Sequence, residues 1–70
     1  MANNVKKIID YVKARSFLKN LSEARLKMTL MNQGINLDSI KDSPSIDPEL
    51  EKKVIDAAKE ILKVDRIDIS

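Results

Sequence analysis

The chain has 70 residues, a net charge of +2, and neither histidine nor cysteine. A chain of this length forms one domain and buries only about 60% of the surface that it exposes when unfolded. Without cysteine, disulfides and thiolate metal sites are excluded, and without histidine the commonest general base and metal ligand are missing. We therefore expect no enzyme, no cofactor and no metal, and we expect association between copies to supply stability.

Charge is divided unevenly along the chain. Residues 1–33 carry seven basic and two acidic residues, a net +5, whereas residues 34–70 carry six basic and nine acidic residues, a net −3. A basic half can meet nucleic acid or another acidic partner, or it can meet the acidic half of its own chain. The sequence has no apolar run typical of a membrane span or a signal peptide and no cysteine, which predicts a cytoplasmic protein without a membrane partner.

Helices are the default expectation, because only one glycine and two prolines interrupt the chain. The first helical pattern begins at Asn3 or Asn4, either of which suits a helix cap. It places four apolar residues on one face: Val5, Ile8, Ile9 and Val12. A second stripe lies on nearly the opposite side, and its alternating three- and four-residue spacing predicts a helix-packing seam. Its members are Ala14, Phe17, Leu21, Ala24, Met28 and Met31.

Two interpretations of residues 4–33 remain open. One is a single long helix, straight or kinked, with apolar surface on both sides. The other has a break near Asn20–Ser22, where Ser22 caps a new helix. The unbroken phase of the second stripe favours the long helix. Two leucines fall on the side of the first apolar face and suit either interpretation: Leu26 and Leu30.

The second half of the chain predicts a connector and one further helix. Gly34 ends the preceding helix, because glycine readily takes the left-handed conformation just past a last turn. In the connector, residues 34–47, Leu37 and Ile40 anchor a short helical turn. The last helix spans about 48–64, with Asp47 as its cap and Pro48 at its first position. Its buried stripe is predicted to be Leu50, Val54, Ala57, Ala58, Ile61 and Val64. Residues 65–70 form a short tail, either frayed or extended.

These elements predict an all-α protein with a single domain over residues 1–70. Packing the second stripe against the last helix gives an antiparallel helical hairpin, or a small three-helix domain. The first apolar face is then left uncovered, and we expect it to be the interface of a homodimer or the docking site of a protein partner. The interface residues are Val5, Ile8, Ile9 and Val12. In such a hairpin Lys6 and Lys7 would lie near Asp65 and Asp68.

The leading functional prediction is a small non-enzymatic regulatory module that acts by helix-mediated protein–protein binding, as a dimer. The alternative is a DNA-binding regulator that uses the basic N-terminal half. Its nucleic-acid contacts would be Lys6, Lys13, Lys19 and Lys27. Lysines in a first helical turn oppose the helix dipole, so Lys6 and Lys7 call for an explanation, either Asp65 and Asp68 or an outside partner.

A third hypothesis rests on the residues that start the last helix. Asp47-Pro48-Glu49-Leu50-Glu51 resembles the Ser-Gln-Glu-Leu-Asp motif of the small sporulation aspartyl-phosphate phosphatases. Glu49 and Leu50 match outright and Glu51 is a conservative change, whereas Asp47 and Pro48 replace the serine and glutamine of the motif. The members of that family are short helical hairpins, and the resemblance implies a hairpin that acts on response regulators.

Overall fold

The computed structural model describes residues 3–68, which contain four helices and no strand. Helix α1 spans Val5–Ala14, α2 spans Lys19–Met31, α3 is the short Leu37–Ile40, and α4 spans Pro48–Leu62. The predicted all-α class is confirmed. Helices α1, α2 and α4 each contact the other two, and α3 contacts α2. None of the helices in this part of the chain is long and apolar enough to cross a bilayer.

The core is aliphatic and draws on every helix and on the connector. Its buried side chains are Val5, Ile8, Ile9, Val12, Leu26, Leu30, Ile35, Leu37, Ile46, Val54, Ala57 and Ala58. Among the described residues no polar or charged side chain is buried. Removal of apolar surface from water is therefore the main favourable contribution to folding. The radius of gyration, 10.9 Å, equals the value of about 11 Å expected for a compact chain of this length.

The chain turns at residues 15–18, so the long helix predicted over residues 4–33 is in fact two helices. The Ser16 hydroxyl donates a hydrogen bond to the carbonyl oxygen of Val12 at 2.6 Å, which satisfies an acceptor in the last turn of α1. Leu18 precedes α2 and contributes no side-chain cap. The break lies before the predicted position near Asn20–Ser22, and Ser22 sits inside α2 instead of capping it.

A turn at this place lets one core cover both helices. A continuous helix over residues 4–33 would be about 45 Å long, whereas the 15 residues of α4 span about 22 Å. Half of the long helix would then lack a partner. On such a helix Val12 and Leu26 would share a side but lie about 21 Å apart. The turn brings both into the same core, where each is fully buried.

Because of the turn, the first apolar face is buried and the second apolar stripe is exposed, the reverse of the prediction. The face predicted to stay uncovered is buried, and none of its members is more than 8% exposed: Val5, Ile8, Ile9 and Val12. The predicted interface at these residues is therefore wrong, since they have no free surface to offer a partner. The stripe predicted to be the packing seam is exposed instead, with Phe17 99% and Met28 67% exposed. Helix α2 turns its opposite side, Leu26 and Leu30, to the core.

The start of α1 lies beside the start of α4. The side-chain amide of Asn4 donates to Glu51 Oε1 at 2.9 Å, and Glu51 belongs to the first turn of α4. The predicted hairpin placed the start of the first helix beside the end of the last, so that prediction is wrong. Lys6 accordingly pairs with Asp42 of the connector, at 3.2 Å.

Asn3 fastens the start of α1 to the connector. Its side-chain amide donates to the carbonyl oxygens of Ile40 and Ser43, each at 2.7 Å. Its Oδ1 accepts a hydrogen bond from the Val5 N–H at 2.9 Å. Of the two asparagines predicted as caps, Asn3 satisfies an N–H of the first turn, and Asn4, directly before the helix, makes no side-chain cap.

The turn after α2 and the short helix α3 form as predicted. Gly34 has a φ of +80°, and the N–H of Ile35 returns to the carbonyl oxygen of Leu30 at 2.9 Å. Ile35 then packs into the core. Leu37 is buried and Ile40 packs partly against the core, so both anchor α3.

Helix α4 begins where the sequence predicts and ends slightly earlier. The Asp47 side chain accepts the Glu49 N–H at 2.9 Å, with Pro48 at the first helical position. The last helical residue is Leu62, and Lys63 takes the left-handed conformation with a φ of 57°. Of the predicted stripe, Val54, Ala57 and Ala58 are buried, Leu50 and Ile61 pack partly on the core, and Val64 is exposed. Residues 64–68 form no strand, and the end of the predicted tail, residues 69 and 70, lies outside the described residues.

A matched pair of leucine substitutions in α2 tests which face is buried. We expect Leu26→Ala to lower the free energy of unfolding by about 2–4 kcal/mol, because the side chain is fully buried. Leu21→Ala should change it by less than about 0.5 kcal/mol, because Leu21 is 53% exposed. Urea denaturation followed by circular dichroism measures both. Equal losses would contradict the observed orientation of α2.

Two substitutions at positions with positive φ should change the free energy of unfolding in opposite directions. Gly34→Ala should lower the free energy of unfolding by about 1 kcal/mol, because an L side chain disfavours positive φ. No atom lies within 4 Å of the added Cβ, so steric contact contributes nothing. Lys63→Gly should raise stability by about 0.5–1 kcal/mol, since it relieves the same left-handed strain at the end of α4. Thermal unfolding of both variants measures the difference, and a stabilising Gly34→Ala would contradict the assigned conformation.

Candidate interaction surface

Six apolar side chains form an exposed face on α2 and on the turn before it. We call it the α2 apolar face, and it comprises Phe17, Leu18, Leu21, Ala24, Met28 and Met31. The last four follow one another at intervals of three, four and three residues, so they lie on one side of the helix over about 15 Å. Leu26 and Leu30 occupy the opposite side. Helix α2 therefore has two apolar sides, and the core covers only one of them.

The turn widens one end of this face. Phe17 and Leu18 precede the helix, and with Lys19, Asn20 and Leu21 they line a shallow hollow of about 470 Å³. Phe17 is almost fully exposed. Contiguous exposed apolar patches of this kind mark interaction sites more often than isolated exposed residues do. Aromatic residues and methionine are also enriched at the centres of protein interfaces.

The exposed charges beside the α2 apolar face are basic. Lys19 and Arg25 are exposed, and at about 100° per residue Arg25 borders one long side of the face and Lys27 the other. Glu23 is the only acidic residue of α2. Its carboxylate is held by Lys13 at 3.4 Å and by Lys27 at 3.8 Å. The Lys27 side of the face is thus partly neutralised. On the other side Arg25 shares a hollow with Lys63 and Glu60, two cations and one carboxylate, so this border is basic in net charge.

Three of the four lysines predicted to contact nucleic acid form ion pairs within the chain. Lys6 pairs with Asp42 at 3.2 Å, as described above. Lys13 pairs with Glu23, and Lys27 pairs with both Glu23 and Asp38, the latter at 3.2 Å. Lys19 is exposed and lines the hollow beside Phe17 and Leu18. Carboxylates therefore lie among three of the four lysines, and these three do not form a surface with one sign of charge.

Two of the lysines of α1, Lys6 and Lys13, line a hollow whose charges balance. The hollow has a volume of about 360 Å³ and is lined by Lys6, Lys13, Lys41, Asp10, Glu23, Asp42 and Ile9. Its three cations are matched by three carboxylates, so the hollow offers little net attraction to a polyanion. Basic sites that bind phosphate backbones are instead dominated by one sign of charge.

Asp38 links α3 to α2 through two lysines. Its Oδ1 lies 3.2 Å from the Lys27 ammonium and 3.4 Å from the Lys41 ammonium. Hydrogen bonds from Lys27 and from Lys41 hold the pKa of the Asp38 carboxyl below its usual value. Lys27 is thereby committed to the acidic half of the chain, and the charge imbalance between the two halves is partly cancelled inside the molecule.

The residues that resemble the phosphatase motif help to start α4. Asp47 caps the helix and Pro48 occupies its first position, while Glu49 is exposed in the first turn. Helix initiation therefore explains why Asp47, Pro48 and Glu49 occur at these positions. Among residues 3–68 there is no cluster of three or more acidic side chains that would hold a metal ion. The phosphatase hypothesis stays a prediction without a supporting site.

Sequence reasoning found most of the α2 apolar face but assigned it to the core. It missed Leu18 and the border position of Arg25. The signal was present, because Leu26 and Leu30 predicted a second apolar side for the same helix. Two apolar sides on one helix of a small domain require either complete burial or a partner.

The Asp38 ion pairs make part of the stability dependent on pH. Because the pKa of Asp38 is lower in the folded state, its contribution is complete above the unfolded value, 3.8, and is lost as pH falls through the folded value. We expect Asp38→Asn to destabilise the protein at pH 7, and we expect the difference from wild type to shrink as the pH is lowered below 3.8. Unfolding in urea at pH 7 and at a series of lower pH values measures this. The difference at pH 7 should also shrink in 1 M salt; a difference that grows on acidification would contradict the pairing.

Comparison of this chain with protein-family models, with curated proteins and with solved structures finds no match.

Proposed function

We propose that this protein is a small helical module that acts by binding another protein through the α2 apolar face. The observation that carries the proposal is the continuous exposed apolar surface opposite the buried side of α2. Covering such a surface is favourable by roughly 25 cal/mol for each Å² removed from water. A partner helix laid along Leu21, Ala24, Met28 and Met31 would cover it in the manner of a coiled-coil seam.

The composition of the face suits a binding surface that adapts to its partner. Ala24 lies at the middle of the stripe, and its small side chain lets a second backbone approach closely. Met28 and Met31 have flexible, polarisable side chains that fill irregular gaps. Phe17 adds a large aromatic anchor at one end, of the kind that dominates binding energy at many interfaces.

Protein binding explains more of the surface than nucleic-acid binding does. The nucleic-acid alternative depends on Lys6, Lys13, Lys19 and Lys27, and the ion pairs engage three of these with Asp42, Glu23 and Asp38. It also gives no role to the α2 apolar face, since phosphates do not favour apolar contact. Regulation would then follow from occupancy: binding at this face masks or holds a segment of the partner, with no chemical step.

Self-association is a special case of the same proposal. The predicted homodimer interface at Val5, Ile8, Ile9 and Val12 is buried, and the α2 apolar face is the exposed apolar surface that we propose for a dimer instead. A short domain gains stability from any partner that binds only the folded state. The mass of the free protein in solution, measured by light scattering, distinguishes a homodimer from a monomer that binds a different protein.

Site-specific photocrosslinking in cells that make the protein tests the proposed face. We expect a crosslinker in place of Met28 to give a discrete protein adduct, and one in place of Lys52 to give none. Lys52 is exposed on α4, on the side away from the buried Val54, Ala57 and Ala58. Adding Leu21→Asp to the Met28 probe should abolish the adduct without unfolding the domain, because Leu21 is exposed.

Three results of the crosslinking experiment would decide the proposal. A discrete adduct from position 28 that Leu21→Asp removes supports the proposal. Adducts of equal yield from positions 28 and 52 would overturn it, because the contact would then not depend on the face. An adduct to nucleic acid at position 28 would overturn it in favour of the alternative function.

A further inference from the structure

We infer that the partner of the α2 apolar face is an amphipathic helix with acidic residues beside its own apolar stripe, on the side that faces Arg25. The inference rests on the proposed function and specifies the chemistry of the partner. Two features of the structure support it: the spacing of the apolar residues and the sign of the charges that border them.

The spacing selects a helix as the binding element. Leu21, Ala24, Met28 and Met31 follow the alternating three- and four-residue intervals that present knobs to a facing helix. An extended strand has a period of two and would meet these side chains out of register. No other helix of the described residues covers this stripe, because Leu21, Met28 and Met31 are exposed. The buried residues of α2, Leu26 and Leu30, lie on its opposite side.

The border charges select acidic flanks on that helix. The exposed Arg25 borders one side of the stripe, and the exposed Lys19 lies at its end beside Phe17. Lys27 borders the other side but already pairs with Glu23 and Asp38. The one carboxylate of α2, Glu23, pairs with Lys13 and Lys27 on the side of the helix away from Arg25, so it does not offset the charge of Arg25. Residues that flank a helix-packing seam set partner choice through opposite charges. Like charges across the same border disfavour the wrong partner.

A second copy of this chain fits the face poorly. In an antiparallel pairing of two α2 helices about their centres, Arg25 would face Arg25 of the second copy and Lys27 would face its equivalent. Both contacts are between like charges. Helix α4 carries more acidic residues than α2, but its apolar stripe is turned to the core, with Val54, Ala57 and Ala58 buried. No helix of the described residues therefore offers an exposed stripe with acidic flanks.

Two designed peptides test the inference directly. Both are helices of about 20 residues, long enough to be partly helical in water, and both carry the same leucine stripe. One has glutamate at the flanking positions, and the other has lysine. We expect the glutamate peptide to bind the whole protein at least about tenfold more tightly at low salt, as read by fluorescence anisotropy. The difference in affinity between the two peptides should become smaller as the salt concentration rises.

Charge reversal on the protein should reverse this preference. The double variant Lys19→Glu with Arg25→Glu should bind the lysine peptide more tightly than the glutamate peptide. Lys52→Glu is the matched control, because it makes the same change of charge on α4 and should leave the preference intact. Met28→Asp should weaken both peptides by about tenfold or more, since it places a charge in the middle of the stripe. Circular dichroism checks that each variant remains folded.

The outcomes separate this inference from the proposed function. If both peptides bind equally well and Met28→Asp weakens both, the acidic partner is wrong and the α2 apolar face remains a protein-binding site. If the free protein is a dimer that Met28→Asp dissociates and neither peptide displaces, the partner is a second copy and the inference is wrong. If vesicles of phosphatidylcholine and phosphatidylserine bind through Met28 and neither peptide does, both the inference and the proposed function are wrong.

Discussion

Burial of the single apolar face of α1 is the constraint on which the rest of the structure depends. Val5, Ile8 and Val12 are fully buried, and no one helix of this short chain is wide enough to cover them alone. Helices α2 and α4 both have to reach them, which requires the chain to reverse at residues 15–18. The side chains of Asn3 and Asn4 then hold the start of α1 against the connector and against Glu51 of α4. These contacts fix the direction in which the helices run.

The exposed face of α2 is a consequence of that reversal. Once Leu26 and Leu30 turn to α1 and α4, the stripe that includes Leu21 and Met28 has to point to solvent, because it lies on the opposite side of the same helix. A domain of this size has no further layer to cover it. The α2 apolar face, from which we infer function, is thus a surface that the fold leaves exposed. The apolar face of α1, which the sequence predicted to be an interface, instead forms part of the core.

The uneven distribution of charge has a partly internal explanation. Lysines of the basic half meet carboxylates of the acidic half, as in the pairs of Lys6 with Asp42 and of Lys27 with Asp38. Such exposed pairs contribute little stability each, about 0–1 kcal/mol, but they help to set which elements lie together. Arg25 and Lys19 border the α2 apolar face instead, so the remaining basic character is concentrated where an apolar surface is also available.

The sequence by itself determined the local features of this protein. Gly34 at the end of α2, Asp47 and Pro48 at the start of α4, and the short helix at Leu37 follow from the conformations and hydrogen bonds of a few neighbouring residues. The side chains that α4 buries also follow from one helical period. Only the tertiary structure decided where α1 ends and which side of α2 is buried. No glycine or proline marks residues 15–18, and both sides of α2 are apolar, so the choice depended on contacts between residues far apart in the chain.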